Sequence, residues 1–338
     1  MRALPYVPFG PGLDDRPHVF VDGLRTPRTV LELSHWPGNR TPAHLKDDVS
    51  TQSVLRLLGL PEAERAELLA DASAVTCDHY DVDGLLSVLC LVSPDFTARH
   101  RDLLARTALC GDFDVHTGEE PVRACLALLA AEREISAATE FRSVGQATTA
   151  LFGGMLEVAE ECLLDPGAWR EGWAAEWEDV ERSMRSPVEI EERGDLAVFE
   201  DAAEPLHEYA VHARTDAGHV LRLRADGRHS LRFRYENFVD LQSRRPGPRV
   251  RGDLLARELN MLERDGTWFC ESPATATPLL QLYSPAEVPA PSSLGMDEVR
   301  RVVLAFFDAA RTDGSLLWRS HAGWLDEAPG TPPSKETA

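Results

Sequence analysis

The segment AVTCDHYDVDGLLSV sets His79, Asp81 and Asp83 at alternate positions. If residues 79–83 are extended, alternate side chains leave the backbone on one side, so one imidazole and two carboxylates converge. Hard oxygen donors with a single imidazole suit a divalent metal, Mn²⁺ first and Mg²⁺ second. On this reading the three residues are also the catalytic candidates. Gly84 then lets the chain turn into an apolar helix whose N-terminal N–H groups favour anions. The competing reading is a solvated acidic turn in which an Asp caps that helix. His35, closing the apolar stretch TVLELSH, is either a further ligand or a hydrogen-bonded loop anchor. The loop after it holds Asn39 and Arg40, placed to face a substrate phosphate. In ALCGDFDVH the alternation recurs at Asp112, Asp114 and His116, which makes Asp112 another candidate ligand.

A second concentration of chemistry lies in HVLRLRADGRHSLRFRYEN. Strand alternation puts Arg222 and Arg224 on one face, and pairing across the Asp226-Gly227 turn brings Arg232 and Arg234 beside them. Guanidinium groups read phosphate oxygens in pairs, so the four are substrate-binding candidates. The alternative is an ordinary solvent-facing sheet surface whose arginines pair with Asp and Glu while Leu221, Leu223, Leu231 and Phe233 pack inside.

These groups need elements to hold them. TVLELSH (29–35) and AVTCD (74–78) read as strands, and as neighbours in one parallel sheet they would bring His35 close to His79. VFVDG (19–23) reads as a short edge strand. Ser50 is an N-cap candidate for a helix over STQSVLRLLGL, and a second helix, PEAERAELLADA, opens with Pro61. Residues 84–92 are apolar all round and predict a buried helix. Residues 95–110, 119–132 and 142–163 carry a 3.6-residue apolar period. Trp169, Trp173 and Trp177 recur every four residues and predict a packing seam. After Ser186-Pro187 the pattern changes to period two, as in antiparallel strands. The expected fold is α/β: an N-terminal parallel-sheet domain with helices, then a smaller α+β domain with an antiparallel sheet. The expected divisions are residues 1–165, a connecting helix over 166–186, residues 187–326, and a disordered tail over 327–338.

Bulk properties narrow the function. The formal net charge of the 338 residues is −21, which disfavours a protein that neutralises long duplex nucleic acid or docks on anionic membranes. No apolar run is long enough for a membrane span, and the N-terminus lacks the apolar core of a signal peptide, so a cytoplasmic protein is expected. The six cysteines are scattered without a CxxC pair and read as buried free thiols. Oligomeric state is left open, with a dimer allowed.

HYDVDGLLS resembles the first motif of the DHH phosphoesterase superfamily, closest to its single-strand exonuclease branch. The resemblance implies a parallel-sheet domain, a connecting helix and a smaller second domain. It also implies a two-manganese centre that includes His79, Asp81 and Asp83, and hydrolysis of phosphoesters. The Asp-His-His tripeptide of that superfamily does not occur in this chain. The stretch LSHWPGNRTP…STQS is similar to an uncharacterised bacterial family. Residues and resemblance together predict a divalent-metal-dependent phosphoesterase for a small phosphorylated molecule or short oligonucleotide. A non-catalytic binding relative and a metal-dependent hydrolase of a non-phosphate bond are the alternatives.

Overall fold

A computed structural model describes residues 2–13, 15–201 and 204–318. The tail expected over 327–338 lies outside the described residues. The chain forms two units, each with its own sheet, in a mixed α/β fold.

The first unit takes Met1–Met184, His207–Ala213 and Asp240–Arg244. Its sheet is parallel, with β1 (His18–Val21) between β2 (Thr29–Leu33) and β3 (Ala74–Thr76). VFVDG is therefore the central strand, not an edge, and the two strands expected to be neighbours flank it instead. The physical reason is readable afterwards. Every residue of β1 is buried, as an inner strand of a parallel sheet must be, but four residues are too few to announce it. With all three strands running the same way, the segments leaving β1, β2 and β3 emerge at one edge, where such sheets bind ligands.

Helices α1 (Ser50–Gly59), α2 (Glu62–Leu69), α3 (Val82–Val92), α4 (Pro94–Phe113), α5 (Glu119–Ala137), α6 (Val144–Leu164) and α7 (Arg170–Arg185) complete this unit. Residues Val82 to Leu91 of α3 are all buried, so its all-round apolar sequence marks an interior helix. On α7, Trp173 and Trp177 are buried, and Trp169, in the turn just before it, is half-buried. The Arg123 guanidinium lies 4.4 Å from the centre of the Trp177 ring, and Trp173 Nε1 donates to the Pro166 carbonyl at 2.8 Å. The stripe is thus a packing seam, and α7 up to Met184 belongs to the first unit. A later short helix, α8 (Glu208–His212), also belongs here. Its Tyr209 hydroxyl donates to the Cys110 carbonyl at 3.2 Å, and His212 Nδ1 donates to the Phe113 carbonyl at 2.8 Å.

The second unit holds a six-stranded sheet of β4 (Ile190–Arg193), β5 (Leu196–Asp201), β6 (His219–Arg224), β7 (Ser230–Phe233), β8 (Thr267–Cys270) and β9 (Leu279–Tyr283). The order is β4-β5-β6-β7-β9-β8, antiparallel except for the parallel pair β5-β6. Gly227, at φ 78°, makes the tight turn between β6 and β7 that the Asp-Gly pair predicts. Leu221, Leu223, Leu231 and Phe233 face inward against α9 (Gly252–Asn260) and α10 (Met296–Ala310) through Leu255, Val299, Val303 and Phe306. All six cysteines are free and buried. Among the described residues no helix is long and apolar enough to cross a membrane.

Candidate metal centre

The residue that organises the centre is Asp22, which follows β1 with φ 48°. That left-handed conformation is tolerated by Asp better than by most non-glycine residues. Its carboxylate is buried. Ser50 Oγ donates to Oδ1 at 2.8 Å, His35 Nε2 lies 3.4 Å from Oδ1, and His79 Nε2 lies 3.3 Å from Oδ2. His35 and His79 thus meet through Asp22, although their strands are not adjacent. His35 is itself held by Nδ1 donating to the Asp48 carbonyl at 2.6 Å. Fixing that nitrogen aims Nε2 at Asp22 and at Asp112 Oδ2, 3.5 Å away.

Asp81 and Asp83 divide two capping tasks. Asp81 is extended and caps α3, its Oδ1 accepting the Gly84 N–H at 2.7 Å while Oδ2 lies 3.0 Å from His79 Nε2. Asp83 is already in the first turn of α3, so the extended run expected over 79–83 stops at Asp81. Its buried carboxylate reaches the start of α1 instead, accepting the Ser50 N–H at 2.7 Å and the Thr51 N–H at 2.8 Å. Ser50 is accordingly the first residue of α1 and not its cap. A carboxylate from another helix satisfies the amides that a cap would. Both carboxylates satisfy amides at a helix start, so the capping reading of this segment holds for each.

Two overlapping triads place ligand atoms within 4.8 Å of one another: Asp22 with His35 and Asp83, and Asp22 with Cys77 and His79. A Cβ built on Gly84 would stand 3.1 Å from Cys77 Sγ, 3.2 Å from Asp81 Oδ1 and 3.4 Å from Asp22 Oδ2. Gly84 therefore lets three donors pack closely against the start of α3. Sequence reading missed Asp22 and Cys77. The one signal for Asp22 was an Asp-Gly pair ending an apolar stretch, a dipeptide that recurs at Asp83-Gly84.

Burial and mutual repulsion shape the electrostatics of the cluster. Burial pushes Asp83 up to about 7, reinforced by the Asp22 carboxylate and opposed by His35. Burial drives Asp112 well above the carboxylate range, with His35 opposing and Asp83 adding to the rise. Asp22 goes the other way: burial opposes its ionisation, but the His35 and His79 imidazoles hold it below the usual range. Burial pulls His35 down, yet the Asp112 and Asp22 carboxylates lift it to about 10. His79 likewise is raised, since Asp22, Asp78 and Asp81 outweigh its desolvation. Three buried carboxylates cannot all ionise against two imidazoles without further positive charge. Asp22 Oδ2 and Asp112 Oδ2 are buried and accept no hydrogen bond. Oxygen-rich donors with two imidazoles and orphaned carboxylate oxygens fit a divalent cation.

The remaining candidates are placed differently. Asn39 braces its own loop, with Nδ2 donating to the Trp36 carbonyl at 2.8 Å and Oδ1 accepting the Thr41 N–H at 3.1 Å. Arg40 is exposed. In the second unit the expected surface of four arginines does not form. Arg222 pairs with Asp201 at 2.7 Å and Arg224 with Asp226 at 2.6 Å. Arg234 lies past the end of β7, where it is buried and paired with Glu236. Arg232 remains on β7, opposite Val220. The carboxylates that an acidic chain supplies in excess pair with Arg222, Arg224 and Arg234.

A family model described as a family of unknown function (DUF6687) matches residues 2–315. No curated protein matches the chain.

Proposed function

We propose a divalent-metal-dependent phosphoesterase activity for this chain, which belongs to the DUF6687 family of unknown function. The observation that carries the reading is the Asp22 carboxylate, 3.4 Å from His35 and 3.3 Å from His79, inside a ring of carboxylates short of positive charge. Asp22, His35, Asp83 and Asp112 would hold one cation, and His79 with Asp81 would join Asp22 around a second. When bound, such ions supply a water of lowered pKa and neutralise charge on a phosphoryl oxygen; Mn²⁺ is the first choice and Mg²⁺ the second. The protein's own groups do the rest. Asp48 and Ser50 orient His35 and Asp22, and Asp83 is fixed by two backbone amides. Asp78 Oδ1, 2.9 Å from His79 Nδ1, would fix that ring so that Nε2 faces Asp22 and Asp81.

The net charge of −21 favours a small phosphorylated molecule or a short oligonucleotide over long duplex nucleic acid. Six free buried thiols suit a reducing cytoplasm. The test is hydrolysis of bis(p-nitrophenyl) phosphate and of pyrophosphate by metal-stripped protein reloaded with Mn²⁺ or Mg²⁺, beside Asp22→Asn. Metal-dependent turnover lost in the variant supports the reading; metal uptake without turnover of any phosphoester overturns it. One observation favours a second reading, a metal-dependent hydrolase of a non-phosphate bond. Arg222, Arg224 and Arg234, which a phosphate would recruit, are committed to Asp201, Asp226 and Glu236.

A further inference from the structure

We infer that Cys77 is a ligand of the centre, so that Asp22, Cys77 and His79 form a mixed thiolate, imidazole and carboxylate position for a borderline-soft divalent cation, Zn²⁺ or Fe²⁺. The inference rests on the metal reading above and adds to it which ion the outer position takes. Cys77 follows β3 directly and is fully buried. Its Sγ lies 3.8 Å from His79 Nδ1 and belongs with Asp22 and His79 to one group of converging donors.

Two further observations set it apart from the other buried thiols. Asp22 Oδ2 is buried and accepts no hydrogen bond, and it borders the space beside Gly84 from 3.4 Å. Cys77 Sγ borders the same space from 3.1 Å. The buried Asp22 carboxylate oxygen and the Cys77 thiol therefore lie against the same side of Gly84, where a side chain at position 84 would press on both. Sulfur shifts a site's preference away from Mn²⁺ and Mg²⁺ and toward thiophilic ions. Binding is a simple exchange: the metal–sulfur bond forms, the thiol proton leaves to solvent, and nothing is oxidised. The alternative role for this thiol is structural, since Sγ also donates to the His79 carbonyl at 3.1 Å.

The test is optical titration of the full metal-stripped chain with Co²⁺. Visible d–d bands report any bound cobalt, and a near-ultraviolet thiolate-to-cobalt charge-transfer band reports sulfur ligation. The expected result is both bands in the native protein, with the charge-transfer band lost in Cys77→Ser and retained in Cys90→Ser. Zn²⁺ affinity should fall on the order of 10- to 100-fold in Cys77→Ser while Mn²⁺ affinity holds. Visible bands without charge transfer in native protein overturn the Cys77 assignment and leave the metal centre standing. A charge-transfer band that survives Cys77→Ser also overturns it. No cobalt bands in native protein would remove both the ligand and the centre.

Discussion

The Asp22 carboxylate lies 3.3 Å from the His79 imidazole, joining the turn after the central strand to the loop that enters helix α3. Because His35 approaches the other oxygen of the same carboxylate at 3.4 Å, Asp22 connects every part of the centre.

Asp22→Asn should therefore abolish metal binding while preserving shape. In a thermal-melt titration, Mn²⁺ at about 100 times its Kd stabilises the native protein by about 2.7 kcal/mol, roughly 5–10 °C for a unit of this size. The variant should show no metal-dependent rise. A rise equal to that of the native protein would remove Asp22 from the ligand set.

Asp83→Ala should destabilise the first unit even without metal. It strips the acceptor from two buried amides at the start of α1, a loss on the order of 3 kcal/mol. Chemical denaturation of metal-free protein measures it, and a change below about 1 kcal/mol would contradict the capping role.

The metal-free centre should also lose stability as pH rises. Asp83 titrates near 7 in the folded chain against about 3.9 when unfolded, so the folded state binds the extra proton. Its contribution is fully present below the unfolded value and disappears as pH climbs through the folded one. Asp112, also raised, acts in the same direction. Metal-free protein is expected to melt higher near about pH 5 than near about pH 7.5, and saturating Mn²⁺ should narrow that gap by replacing the proton. A metal-free melting temperature that climbs across this range would show that these carboxylates are not shifted upward.

In the second unit, Glu236→Gln should cost about 3–5 kcal/mol, because it leaves the buried Arg234 guanidinium uncompensated. Replacing both partners, Arg234→Met with Glu236→Leu, should recover most of that loss. Denaturant midpoints for Glu236→Leu, Arg234→Met and their double variant decide it, and an additive double variant would deny the coupling.

Much of the fold was legible because it rests on local patterns. The apolar run Leu85–Leu91 had to be an interior helix, the tryptophans of α7 had to pack, and Asp226-Gly227 had to turn. The centre was half legible. His79, Asp81, Asp83, His35 and Asp112 were chosen for residue type and spacing, and they do gather in one place. The geometry behind that gathering was not visible. Asp83 joins the cluster from a helical turn and points at the amides of a different helix, which no spacing rule encodes. Asp22 was hidden because its strand is four residues long, and length is what separates a central strand from a passing extended segment. The arginines misled for the opposite reason: alternation placed them correctly along β6 and β7, but the carboxylates that claim them come from Asp201, from the turn, and from beyond the strand end.

The first unit draws on three separated stretches of chain, with residues 207–213 and 240–244 returning to it after the second unit has begun. Tyr209 and His212 anchor to the end of α4, and the Asp240 N–H donates to the His35 carbonyl at 2.7 Å. During synthesis, then, the half that carries the centre cannot finish when its last long helix emerges. It must wait, with part of its interior exposed, until residue 244 has cleared the ribosome. A gene fragment that stops at position 186 should yield an aggregation-prone polypeptide, so this protein is not a pair of interchangeable cassettes but a single unit of inheritance.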